Sequence, residues 1–124
     1  MPDFTPLAPA GFKTELDKLA TTVTANTQTA SYTLVLSDAG KAVEMNVGTA
    51  NDLTVPPNST VAFPVGTVVE VCQIGAGVTT IVAGAGVTIN TPETLVLAGQ
   101  WSTVSLRKRA TDVWVLAGYT TAAA

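Results

Sequence analysis

Gly75-Ala76-Gly77-Val78-Thr79-Thr80-Ile81-Val82-Ala83-Gly84-Ala85-Gly86-Val87-Thr88-Ile89-Asn90 is the stretch that decides the fold class. The pentapeptide Gly-Ala-Gly-Val-Thr occurs in it twice, at 75–79 and 84–88, and the stretch carries no charged side chain. Val78, Ile81, Val82, Val87 and Ile89 are β-branched positions suited to a pleated surface. Gly75, Gly77, Gly84 and Gly86 supply backbone freedom between them. Short β-formers punctuated by glycine predict a tightly turning β structure, and almost nothing here can perform chemistry.

A nine-residue repeat is too short for a complete parallel β-helix rung within one chain. Two readings remain. The copies are turns of a hairpin or meander, or three chains each contribute short segments to a threaded, fibre-like structure whose edges must be covered.

Outward from the repeat, the β pattern continues in both directions. Tyr32, Leu34 and Leu36 alternate with polar and small residues up to the turn signal Asp38-Ala39-Gly40. Lys41 to Val47 reads as a strand with Val43 and Met45 on one face. Asn51-Asp52 reads as a turn, and Leu53-Thr54-Val55 as a short strand stopped by Pro56-Pro57. Thr60–Phe63 is a brief strand, Thr67–Ile74 the strongest β-former, and Val78–Val82 and Val87–Asn90 are the repeat strands. Thr94–Leu97 is short. Trp101–Leu106 and Val113–Leu116 make a hairpin pair around an Arg107–Asp112 connection. These segments predict an all-β domain of about eight short strands, a compact antiparallel sandwich or a barrel-like closure.

The first residues read differently. Pro2, Pro6 and Pro9 restrain an extended arm. Phe12, Leu16, Leu19 and Val23 then recur at helical spacing and predict a short amphipathic helix over 12–20, which needs a surface to dock on. Thr21 to Ser31 reads as a linker or irregular extended piece. The chain thus divides into an arm with a short helix at 1–30, a β domain at 31–118, and a tail at 119–124 with no reason to be ordered alone.

Composition narrows the function. With 124 residues, the chain supports one modest core. It is 47% hydrophobic and only 12% charged, so its surface is thinly charged and association is favoured. A net charge of −3 and six basic residues give no phosphate-binding surface, so no nucleic-acid partner is expected. Neither a signal peptide, a spanning segment nor a basic amphipathic helix is apparent, so no membrane partner is expected either. There is no histidine, which excludes a histidine-dependent triad and, with the single Cys72, the common zinc sites. Cys72 reads as a small half-buried hydrophobe. Asp38 with Glu44, or Asp52 with Glu70, are the carboxylate pairs that glycoside chemistry would require. Asp38 and Asp52 fit turn capping better, and Glu44 and Glu70 fit solvent-facing strand positions. No catalytic residue, metal or cofactor is expected.

Three sets of residues carry candidate interactions. Phe4, Leu7, Phe12, Leu16 and Leu19 are apolar anchors of the arm, which docks on its own domain, on symmetry mates in an oligomer, or on a host surface. Trp101 and Tyr119 are candidate ligand-stacking platforms, although Trp101 also fits a core or subunit seam, as Trp114 does. Arg107, Lys108, Arg109 and Asp112 form a candidate ionic interface at a strand end or turn.

The ordered set Tyr32–Lys41, Val55–Ser59, Phe63–Thr67 with Glu70-Val71, and Leu106–Gly118 resembles a β module of tailed-bacteriophage structural proteins. Such modules occur in tail-fibre, tail-tip, collar and head-fibre or head-decoration proteins. The resemblance implies a non-enzymatic virion protein, commonly a homotrimer, that partners a major capsid protein or another virion protein. The short arm before a single module favours a capsid decoration or short head fibre on the outer capsid surface. A tail-fibre, tail-tip or collar component is the alternative, and so is a receptor- or polysaccharide-binding module.

Overall fold

A computed structural model describes residues 22–123. The arm anchors Phe4, Leu7, Phe12, Leu16 and Leu19, and the helix expected over 12–20, lie outside the described residues. The strands are β1 (Ala25–Gln28), β2 (Tyr32–Thr33), β3 (Ala42–Met45), β4 (Asn51–Val55), β5 (Val68–Gln73), β6 (Thr79–Ala83), β7 (Thr88–Asn90), β8 (Thr103–Ala110) and β9 (Val113–Gly118). Six of them form one sheet in the order β1-β3-β5-β8-β9-β7, and β2-β4-β6 form a second. The all-β expectation holds.

Strand direction overturns the antiparallel expectation. Of the seven strand pairings among the described residues, five are parallel, and only β5–β8 and β8–β9 are antiparallel. From β1 to β6 the chain alternates between the two sheets, so each successive pair of strands makes one coil stacked on the last. Every residue of β3 faces the residue 28 positions later in β5, and the same offset joins β4 to β6. Parallel strands need a long crossover. Here the other sheet supplies it in place of a helix. After β6 the chain crosses to the far edge as β7, and the β8–β9 hairpin fills the gap.

Alternation along each strand places the core. Val43 and Met45 of β3, Leu53 and Val55 of β4, Val69 and Val71 of β5, and Ile81 of β6 are buried between the sheets. Val104 and Leu106 of β8 and Trp114 and Leu116 of β9 complete the six-stranded inner face. Beyond the reach of the smaller sheet, Phe63, Val87 and Leu97 from the connections cover this face. Phe63 meets Trp114 edge-on, with ring centroids 5.6 Å apart.

The two Gly-Ala-Gly segments are neither hairpin nor meander turns. Each is a corner where the chain passes from one sheet to the other, the first from β5 to β6 and the second from β6 to β7. Their glycines serve different purposes. A Cβ on Gly75 would lie 2.4 Å from the Val47 oxygen, and one on Gly77 would lie 1.9 Å from the Thr49 oxygen. The first corner stacks directly on the coil beneath it, with Gly75 and Gly77 donating to Met45 and Val47. Gly86, by contrast, has φ +78 and open space around it, as a turn requires.

Several local readings change. β1 lies within the stretch read as a linker, because its Asn26 and Gln28 are tied to the first coil and its backbone pairs with β3. The strand expected over Tyr32–Ser37 is cut to two residues, and a 3-10 turn at Leu36–Asp38 leaves Leu36 56% exposed. Asn51-Asp52 opens β4 and is not a turn. Thr60–Phe63 is not a strand, because the turn over residues 58–60 runs into it, with Thr60 and Val61 both donating to the Pro57 carbonyl. Thr120 bridges Leu97, and Ala123 donates to Glu93, so the tail has partners through Ala123. No helix among the described residues is long and apolar enough to cross a membrane.

Candidate interaction surfaces

The chain enters the fold beside an open groove of 380 Å³ on the outer face of the six-stranded sheet. Val23, Gly40, Lys41, Val68, Glu70 and Ser105 line it. Because β1 runs parallel to β5 with Ala25 level with Glu70, entry falls at the Val68 end of the sheet.

Trp101 and Tyr119 lie at the opposite end. β5 finishes there at Gln73, whose carbonyl accepts the Trp101 N–H at 2.6 Å. Tyr119 donates its N–H to Thr103, two residues beyond Trp101, and accepts from Ala98. Gln100 extends its side-chain amide to the Ile74 carbonyl, fastening the 98–102 loop to the first Gly-Ala-Gly corner. The two rings are 68% and 70% exposed. Trp101 is therefore not in the core, whereas Trp114, 1% exposed, is. Trp101 also has φ 72, a left-handed conformation that costs a side-chain-bearing residue about 1–2 kcal/mol. A bulky aromatic held exposed in a conformation suited to glycine is a poor choice for stability, and the sequence gives no local sign of it.

The candidate ionic cluster is divided by the strand. Arg107, Lys108 and Arg109 lie on β8 and not in a connection, and Asp112 lies in the short hairpin loop, Thr111-Asp112. Arg107 and Arg109 face solvent. Lys108 takes the inward position after Val104 and Leu106 and is 2% exposed, paired across the sheet with Trp114. Its Nζ donates to the Asn58 Oδ1 at 2.6 Å and to the Phe63 carbonyl at 2.8 Å. Asp112, left-handed at φ 55, accepts the Asn58 backbone N–H at 2.7 Å. Lys108 and Asp112 thus hold the connection between β4 and β5 and do not offer an ionic surface.

Two buried polar clusters were not legible beforehand. Asp38, 1% exposed, accepts from Asn26, from the Tyr32 hydroxyl and from the Val35 N–H, all at 2.7–2.9 Å. Burial, and next the hydrogen bond to Asp38, push the Tyr32 hydroxyl above its usual pKa. At the first Gly-Ala-Gly corner, Thr79 bonds Asn51 through its hydroxyl, and Gln73 accepts the Thr79 N–H while donating to Gly75. Asn51 and Thr79 are register partners in adjacent coils, so only the coil offset could have linked them.

The carboxylates do not assemble as catalytic pairs. Asp38 is enclosed by its three donors, while Glu44 accepts from Thr27 on the outer face. Asp52 and Glu70 belong to different sheets. Among the described residues, no group of three or more His, Cys, Asp or Glu is placed to hold a metal ion. Set against known protein families, characterised proteins and solved structures, the chain matches none.

Proposed function

We propose that the protein is a non-enzymatic virion structural protein, an oligomeric capsid decoration or short head fibre anchored by its N-terminal arm. The observation that carries this reading is the polarity of the domain. The chain enters at the Val68 end of β5, and the exposed Trp101 and Tyr119 stand at the Gln73 end. Six strand residues separate the ends by roughly 20 Å, at about 3.3 Å each. A rigid module between an attachment segment and an aromatic outer end suits a protein that coats a particle. The phage-module motifs and thinly charged surface favour the same reading, with a homotrimer as the assembly and avidity strengthening attachment.

Deleting residues 1–12 leaves a folded β domain and abolishes binding to undecorated capsids. Unchanged occupancy in a titration of the truncated protein overturns the arm's role. The homotrimer has a solution mass three times the 12.6 kDa of the chain, and a monomer at micromolar concentration overturns the assembly. A second reading, receptor or polysaccharide recognition at the outer end, is favoured by the strained exposed Trp101. It requires Trp101→Ala to lose glycan binding while the fold is kept.

A further inference from the structure

Lys108 presents a problem that the fold leaves open. It occupies an inward strand position where Val104 and Leu106 precede it with apolar side chains. The two oxygens that its Nζ bonds, Asn58 Oδ1 and the Phe63 carbonyl, are both uncharged. A buried cation hydrogen-bonded only to neutral oxygens is costly, because such bonds offset only part of the desolvation. Its backbone is fixed on both sides, donating to Thr67 and accepting from Gly66 at 2.8 Å each, so the side chain cannot swing out without moving the strand.

We propose that Lys108 and Asn58 form an intramolecular amide cross-link. The Lys108 Nζ in its amine form attacks Cγ of Asn58, a new N–C bond forms, the Cγ–Nδ2 bond breaks, and ammonia leaves. From a lysine ammonium and a carboxamide the products are a secondary amide and an ammonium ion, so atoms and charge balance without an oxidant or reductant. The contact of 2.6 Å to Oδ1 places Cγ within about 3.8 Å of the attacking nitrogen, given a C=O bond of about 1.2 Å. That separation approaches the near-attack range of about 3–3.5 Å. Asp112, whose carboxylate accepts the Asn58 backbone N–H, is the group assigned to relay the proton from amine to departing nitrogen, a role that its own variant tests. Reaction replaces a buried ammonium held by neutral oxygens with a neutral amide and ties the connection between β4 and β5 covalently to β8, 50 residues away. The inference stands independently of where the protein resides.

Intact-mass spectrometry of the folded full-length chain tests it. The folded protein is about 17 Da lighter than its sequence, the mass of one ammonia, whereas chain kept in denaturant from synthesis is not. Tryptic digestion yields a branched peptide joining Asn58 to Lys108, with no cleavage after Lys108. Asn58→Asp loses about 18 Da as water instead, and Asp112→Asn slows the loss. Full sequence mass in the folded protein after prolonged incubation, with Asn58 and Lys108 in separate peptides, overturns the proposal. So does the same deficit in Lys108→Met. If that variant does not fold, the wild-type peptide map decides alone.

Discussion

Replacing Gly77 by alanine tests the stacked corner directly. The added Cβ would lie 1.9 Å from the Thr49 oxygen and 2.3 Å from its carbonyl carbon, both backbone atoms that cannot rotate away. Relief requires the two coils to separate locally by about 1 Å, since real Cβ contacts essentially never fall below 3.0 Å. Three hydrogen bonds across the corner are then lost or stretched: Gly77 N–H to Val47, Asn51 N–H to Val78, and the Asn51 amide to Gly77. At about 1 kcal/mol net apiece, Gly77→Ala costs about 3 kcal/mol. Gly86→Ala is the control, because it meets open space and only the left-handed backbone opposes it, at about 1–2 kcal/mol. In urea unfolding with a slope near 1.5 kcal/mol/M, Gly77→Ala moves the midpoint down by about 2 M and Gly86→Ala by about 1 M. A Gly77→Ala midpoint equal to or above that of Gly86→Ala refutes the stacking of 75–77 on 47–49.

The two tryptophans separate just as sharply. Trp114→Ala costs about 3–5 kcal/mol in the same assay, whereas Trp101→Gly relieves the left-handed strain and raises stability by about 1 kcal/mol; a destabilised Trp101→Gly refutes the strain. Leu34→Ala costs about 2–4 kcal/mol and Leu36→Ala under about 0.5 kcal/mol, which checks that the 3-10 turn reverses their expected equivalence. In a Tyr119→Phe background, absorbance titration at 295 nm reads Tyr32 alone, and its midpoint lies above the usual 10.0. Because folding raises this pKa, its contribution is complete below pH 10 and is lost as pH climbs through the folded value, so stability falls on the alkaline side. A Tyr32→Phe chain lacks that alkaline decline.

Local residue patterns set the composition of the strands. Val43 and Met45 share a buried face, Pro56-Pro57 stops β4, Val113–Leu116 buries Trp114, and β8 and β9 pair as a hairpin. Each of these follows from local alternation, or from a residue that cannot continue a strand. Tertiary structure alone decided direction and partners. Period-two alternation is identical in parallel and antiparallel sheets, so nothing in Val43-Glu44-Met45 indicates that β5 lies beside it in parallel. The nine-residue repeat spaces the two corners on either side of β6, one for each passage between sheets. The step from β3 and β4 to β5 and β6 is 28 residues and aligns Val47-Gly48-Thr49 with Gly75-Ala76-Gly77, where no sequence likeness marks the pairing. Lys108 and Trp101 show the same limit. Charge predicts Lys108 outside and apolarity predicts Trp101 inside. Strand register buried the first and a left-handed turn exposed the second, because the backbone hydrogen bonds of the whole sheet outweigh the preference of one side chain.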